Sequence, residues 1–194
     1  MELDQDVLAS LRTVAEMLAD RGDSPELIEK CNHPDRFLDP AQSKQIFALE
    51  ARSAGLMLVC DTSPKFKVAN IKKYLDTLDF GRFIVIAREK PSSNAIKTMA
   101  EYADKAIQFF ELKELVFNIT KHCLVPKHEV VPDADVKKIL ETYRIKRRTQ
   151  LPLIYASDPV ARYLGLKPGQ VVRVTRISQA CGETFAYRCC VKST

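Results

Sequence analysis

Three groupings of side chains in this sequence have types that could do chemistry. Cys31 with His33, and His122 with Cys123 and His128, are the residues that could ligate a metal. Structural zinc sites bring ligands as tight pairs from two places, and neither C-x-H nor an adjacent H-C is a usual pair, so no metal is expected. A metal-dependent nuclease would need a carboxylate near one strand end and an acid-x-Lys on the next, together holding a divalent ion. Asp61 follows one apolar run and Asp79 precedes the next, but that second run ends Ala87-Arg88-Glu89-Lys90. Adjacent Glu and Lys diverge on an extended chain, so the spacing fails. The third grouping is the basic run Arg144, Lys146, Arg147, Arg148. It reads either as a phosphate contact or as a solvated helix end whose cations complement the dipole. No aromatic residue interleaves with it, so base stacking is not indicated.

Composition narrows the class further. The chain has only six glycines, and none builds a phosphate-cradling G-x-x-x-x-G-K loop or a G-x-S-x-G elbow. No cofactor and no small-molecule substrate is expected. At 28% charged and 46% hydrophobic, 194 residues can bury a proper core. No apolar run approaches the roughly 20 residues of a membrane span, and the acidic, amphipathic start lacks the pattern of a secretory signal. A cytosolic or nuclear protein is expected. The six cysteines include no C-x-x-C pair and read as free thiols, with Cys189 and Cys190 on opposite faces of a strand. The net charge of +5 is unevenly placed: residues 1–120 carry 16 Lys and Arg against 19 Asp and Glu, residues 121–194 carry 14 against 6. The basic part could face nucleic acid or an acidic protein surface.

These residues must be positioned by elements the patterning predicts. Val7, Leu8, Leu11, Val14, Ala15 and Leu18 recur at helical spacing, with Gly22 placed to end the helix. Ser24-Pro25 and Asp39-Pro40 each pair a capping side chain with a proline suited to the first helical position, the second predicting a helix to about Gly55. LMLVC (56–60), FIVIA (83–87) and IQFF (107–110) read as buried strands, alternating with helical stripes at Val68, Ile71, Leu75, Leu78 and at Ile96, Met99, Ala100, Ala103. A short helix or strand is expected over Glu111 to Ile119. That order predicts an α/β layer with a mostly parallel sheet. From Lys121 prolines punctuate the chain and the β-type runs become amphipathic, which sets a boundary near residues 118–122 and a small α+β second domain. There a helix is predicted from about Asp133 to Tyr143. Asp158-Pro159 should cap a short helix that stops at Gly165. Pro168-Gly169 fits a type II turn into paired strands at 170–177 and 184–191, across a loop containing Gly182.

Two stretches carry a family resemblance: HCLVPKHEVV (122–131), and LPLIYASDPVARYLGLKPGQVVRVTRIS (151–178) with AYR (186–188) shortly after. Together they resemble the fifth-largest-subunit family of eukaryotic RNA polymerases, the small subunit shared by polymerases I, II and III. The C-terminal part is similar to a small archaeal RNA polymerase subunit that corresponds to this module alone. The motif residues are His122, Pro126, His128, Asp158, Pro159, Gly165, Pro168 and Gly169. The resemblance implies an α/β N-terminal jaw domain (1–120) and a C-terminal assembly domain (121–194). It also implies a nuclear location, and a non-catalytic scaffold role. The assembly domain would pack on the largest polymerase subunit, with the jaw near downstream DNA. Contact with DNA would be weak and without sequence specificity.

Candidate partner contacts are Arg162, Tyr163, Arg173, Arg176, Tyr187 and Arg188, since the planar arginine fork and the amphipathic tyrosine ring suit buried interfaces. The family's stretch after the first of the paired strands reads like R-P-S-E-T-A-G-R-Y, where this chain has RISQACGET (176–184). The changed charge of that loop suits a divergent paralogue or a lineage-specific version, one that serves one polymerase rather than all three. Two other functions stay open: a free regulator that uses the assembly fold as a binding module, and a divergent metal-dependent nuclease.

Overall fold

The computed structural model describes residues 4–38, 45–77, 80–102, 104–178 and 182–192. The chain divides into two compact units, Met1–Phe117 and Asn118–Thr194.

The first unit opens with α1 (Gln5–Arg21), which ends where Gly22 turns left-handed at φ 69° and its N–H returns to Ala19 and Leu18. The short helices α2 (Pro25–Asn32) and α3 (Pro34–Phe37) follow, each with proline in its first turn. Ser24 precedes α2 but makes no capping bond; its hydroxyl meets that of Ser53 instead. The helix expected to run to Gly55 is absent: β1 (Ile46–Ala51) and a 3-10 turn (Arg52–Ala54) occupy that stretch. Asp39 and Pro40 lie outside the described residues. Ala48, Leu49 and Glu50 are good helix formers, yet pairing overrides propensity here. β1 lies antiparallel on the fully buried β2 (Leu56–Asp61), joined through Gly55 at φ 57°.

From β2 the chain is α/β. α4 (Val68–Thr77) leads to β3 (Arg82–Ala87), and α5 (Ser93–Ala100), capped by Ser92, leads to β4 (Ala106–Glu111). The sheet order is β1-β2-β3-β4, with β2, β3 and β4 parallel. One face packs Met57, Val59, Phe83 and Val85 against Ile71 and Leu75 of α4. Strand alternation puts Gln108 on the other face from Ile107 and Phe109, and Arg21 of α1 donates to it at 2.9 Å, so α1 covers that side. The unit closes with α6 (Leu112–Leu115).

The second unit begins with a 3-10 turn (Ile119–Lys121). Its sheet has the order β5-β7-β8-β6, from β5 (Lys127–Val130), β6 (Leu153–Tyr155), β7 (Val171–Ser178) and β8 (Gly182–Val191). Gly182, expected in the loop, is the first residue of β8. α7 (Asp133–Thr142) covers Val171 and Cys189 on one face. α8 (Pro159–Tyr163) covers Val172, Val174 and Cys190 on the other. The adjacent cysteines thus enter opposite cores, and the five cysteines among the described residues are free. Gly169, at φ 91°, takes the left-handed position of a turn closed by Gln170 N–H to Lys167 O at 3.1 Å.

Asp158 starts α8 by accepting from the Val160 and Ala161 amides at 2.9 and 3.4 Å. Asp158→Ala is expected to cost about 1 kcal/mol, read as a lower thermal midpoint.

Candidate functional site

The two faces of the second sheet differ in how far they are covered. β7 and β8 pair without a bulge from Val171↔Cys189 to Ser178↔Gly182, and β5 joins through Glu129↔Arg173. Paired residues share a face, so Glu129, Arg173 and Tyr187 stand in one row. Lys127, Thr175 and Phe185 form the next row, and Ile177 and Glu183 the last. α7 covers only the near end of this face. Farther out the face is open: Phe185 is 49% exposed and Ile177 91%.

Its polar members hold one another. The Arg173 guanidinium donates to Glu129 Oε2 at 2.7 and 3.2 Å and lies 5.2 Å from the Phe185 ring centroid. Lys127 adds an ion pair to Glu129 at 2.8 Å. Lys127 and then Arg173 hold the Glu129 carboxyl below its usual pKa. Tyr187 meets Tyr143 edge to face at 5.8 Å. The result is an apolar and aromatic surface with a fixed arginine, a composition suited to protein contact.

The expected contact residues separate. Arg173 and Tyr187 belong to this open face. Arg176, exposed, and Arg188, half-buried, stand on the opposite face, the one on which α8, bearing the half-buried Arg162, packs. Tyr163 is packed within its own unit: it is 3% exposed, and its hydroxyl accepts from Asn118 Nδ2 at 3.0 Å. Glu129 and Phe185 were missed by sequence reasoning; the period-2 pattern of TFAYRCCV marks Phe185 and Tyr187 as one face. His128 Nδ1 lies 2.6 Å from Pro126 O, and His122 Nδ1 accepts from Leu124 N at 3.2 Å, both shaping the entry to β5. In the basic run Arg144, Lys146 and Arg147 are exposed and Arg148 is half-buried. Arg144 takes the left-handed position after α7 at φ 54°. Arg148 donates to Gly169 O at 3.0 Å and pairs with Asp133 at 2.8 Å.

A second cluster of charge lies at the end of the first sheet. Asp79 lies outside the described residues. Asp61, Ala87 and Glu111 are aligned across β2, β3 and β4. Glu111 ends the third parallel strand and Lys113 lies in the first turn of α6, so an acid-x-Lys spacing stands one strand beyond the strand end whose spacing fails in the sequence. Glu111 is 3% exposed and tied to Lys113 at 2.7 Å and Lys90 at 3.3 Å, while it caps α6 in a reciprocal box with Glu114. Asp61 accepts from Ser63 N and Asn70 Nδ2. Among the described residues no three His, Cys, Asp or Glu side chains gather as a metal site. Burial pushes the Cys31 thiol up to about 12.

Lys113, then Lys90, hold the Glu111 carboxyl below its ordinary value, against the effect of burial. A depressed carboxyl contributes stability above its unfolded pKa, near about 4.3, and loses it as pH falls through the folded value. Acid melts should therefore show wild type losing stability below about pH 4.3, with a flatter profile for Glu111→Gln.

Residues 117–190 match the family model of the RNA polymerase Rpb5 C-terminal domain. The DNA-directed RNA polymerases I, II, and III subunit rpabc1 of Dictyostelium discoideum is 37% identical over 135 residues, 66% of this chain and 68% of that protein. The DNA-directed RNA polymerase subunit 5-like protein 1 of Arabidopsis thaliana is 34% identical over 201 residues, spanning 91% of each. The chain belongs to the Rpb5 family. The Rpb5 model covers α7, α8 and nearly all of the second sheet, including both faces described above, and the second relative extends the likeness through the first unit. Within that stretch Asp158, Pro159, Gly165, Pro168 and Gly169 form the cap and turns around α8, which packs on β7.

Proposed function

We propose that this chain is a non-catalytic structural and assembly subunit of a nuclear DNA-directed RNA polymerase. Residues 118–194 act as the assembly domain and dock on the largest subunit. Residues 1–117 act as the jaw domain, near downstream DNA. The observation that carries this reading is the open sheet face of Glu129, Arg173, Phe185, Tyr187 and Ile177, apolar and aromatic around a fixed ion pair, within the stretch that matches the Rpb5 model. A catalytic role is not part of the proposal, because Glu111, the acid-x-Lys carboxylate, is engaged by two lysines and by the start of α6.

DNA contact in this reading is to the phosphate backbone, independent of sequence and sensitive to salt. The excess of acidic over basic residues in 1–120 argues against tight binding by the chain alone. The test is affinity purification of the tagged chain from nuclear extract with mass spectrometry. Recovery of the two largest polymerase subunits is expected, and their identity names the polymerase. Recovery of the chain without them would replace this reading with that of a free binding module.

A further inference from the structure

The β7–β8 hairpin outruns its neighbours. β5 accompanies β7 only over Val172–Thr175, and β6 accompanies β8 only over Cys189–Val191. Among the described residues no strand lies beside Gly182–Arg188 on the β6 side. The direction of the backbone groups there follows from two hydrogen bonds. Cys190 N donates to Gln170 O, toward β7, and Cys189 N donates to Pro152 O, toward β6, each at 2.8 Å. The register is unbroken to Ser178↔Gly182, so alternation aims the N–H and C=O of Tyr187, Phe185 and Glu183 at the open edge. An unpaired edge of this length is a template for another strand.

We propose that this edge takes an extended, acidic segment of a partner polypeptide as an added strand beside β8. The proposal rests on the reading that residues 118–194 dock on another polymerase subunit. Charge selects the occupant: residues 121–194 carry 14 Lys and Arg against 6 Asp and Glu, and Arg188 lies on the edge strand itself, together with Glu183, with the exposed Arg176 on its neighbour and Arg173 already held by Glu129. The same excess sets two copies of this unit against each other, so a second copy is not the occupant. Main-chain bonds would hold the segment, and the exposed Phe185 ring flanks it.

Phe185→Pro tests this in the full-length tagged chain. It deletes an edge-facing N–H and leaves the bonds to β7, a position where a strand tolerates proline. Phe185→Ala removes the same ring and keeps the amide. With recovery of the largest polymerase subunit as the readout, the alanine variant should lose about tenfold and the proline variant at least tenfold more. Equal losses would mean that side chains alone dock, and unchanged recovery by the proline variant would mean the edge is unused; either overturns the proposal. Self-association of the wild type that the proline variant abolishes would overturn it in favour of a second copy. A wild-type chain that recovers no polymerase subunit contradicts the assembly reading itself. Hydrogen exchange of the wild type needs no variant: residues 182–188 should exchange more slowly in the purified polymerase than in the free chain, and equal exchange overturns the proposal.

Discussion

A chain carrying Ile177→Ser with Phe185→Ser is expected to fold as wild type does and to bind polymerase about hundredfold more weakly, about 2.8 kcal/mol. Both side chains lie on the open face of the second sheet, Ile177 91% and Phe185 49% exposed, so removing them takes little from the folded unit. Full burial of each at an interface would contribute about 1.5–3 kcal/mol. Part of that is consumed by ordering the groups that meet, which is why the expected loss falls below the sum. The check is recovery of the largest polymerase subunit at equal expression, with circular dichroism to confirm the fold. Undiminished recovery would move the docking surface to the other face, where Arg162, Arg176 and Arg188 lie.

The second large effect is on stability. Phe83→Ala should remove about 3–5 kcal/mol, since a buried phenyl is lost and its cavity refills only in part. Phe83 is fully buried in β3, between Met57 of β2 and Ile107 of β4, with Phe80 edge to face at 6.3 Å and the Lys105 ammonium 5.3 Å from its ring. A domain holds only about 5–15 kcal/mol in total. Denaturant unfolding would show the change as a lower midpoint with the slope retained; a midpoint within about 1 kcal/mol of wild type would contradict this packing.

Much of this architecture is legible in local pattern because local physics decides it. FIVIA is β-branched and apolar enough to be a strand buried on both faces, and Asp158-Pro159 carries its cap in two letters. The misread segment is Ile46–Ala51, whose alanine, leucine and glutamate favour a helix in isolation but are held by β2 as an edge strand. β5 and β6 escaped notice because three or four residues are too few to show a period. The site was harder to read than the fold. Arg173 and Glu129 are 44 residues apart and meet only through the β5–β7 register, which composition cannot reveal. Tyr163 is of the right type for an interface, but its ring points inward to Asn118. Glu111 needed the third strand end to be compared with the first, an alignment that the sheet order supplies.

The most direct measurement runs in the reverse direction: purify polymerase through a tagged largest subunit and quantify this chain by mass spectrometry with labelled standards. A structural subunit predicts about one copy per enzyme, retained through a high-salt wash because a buried apolar face is little weakened by screening. Absence, or a trace amount removed by salt, would contradict the account and leave a transient regulator in its place.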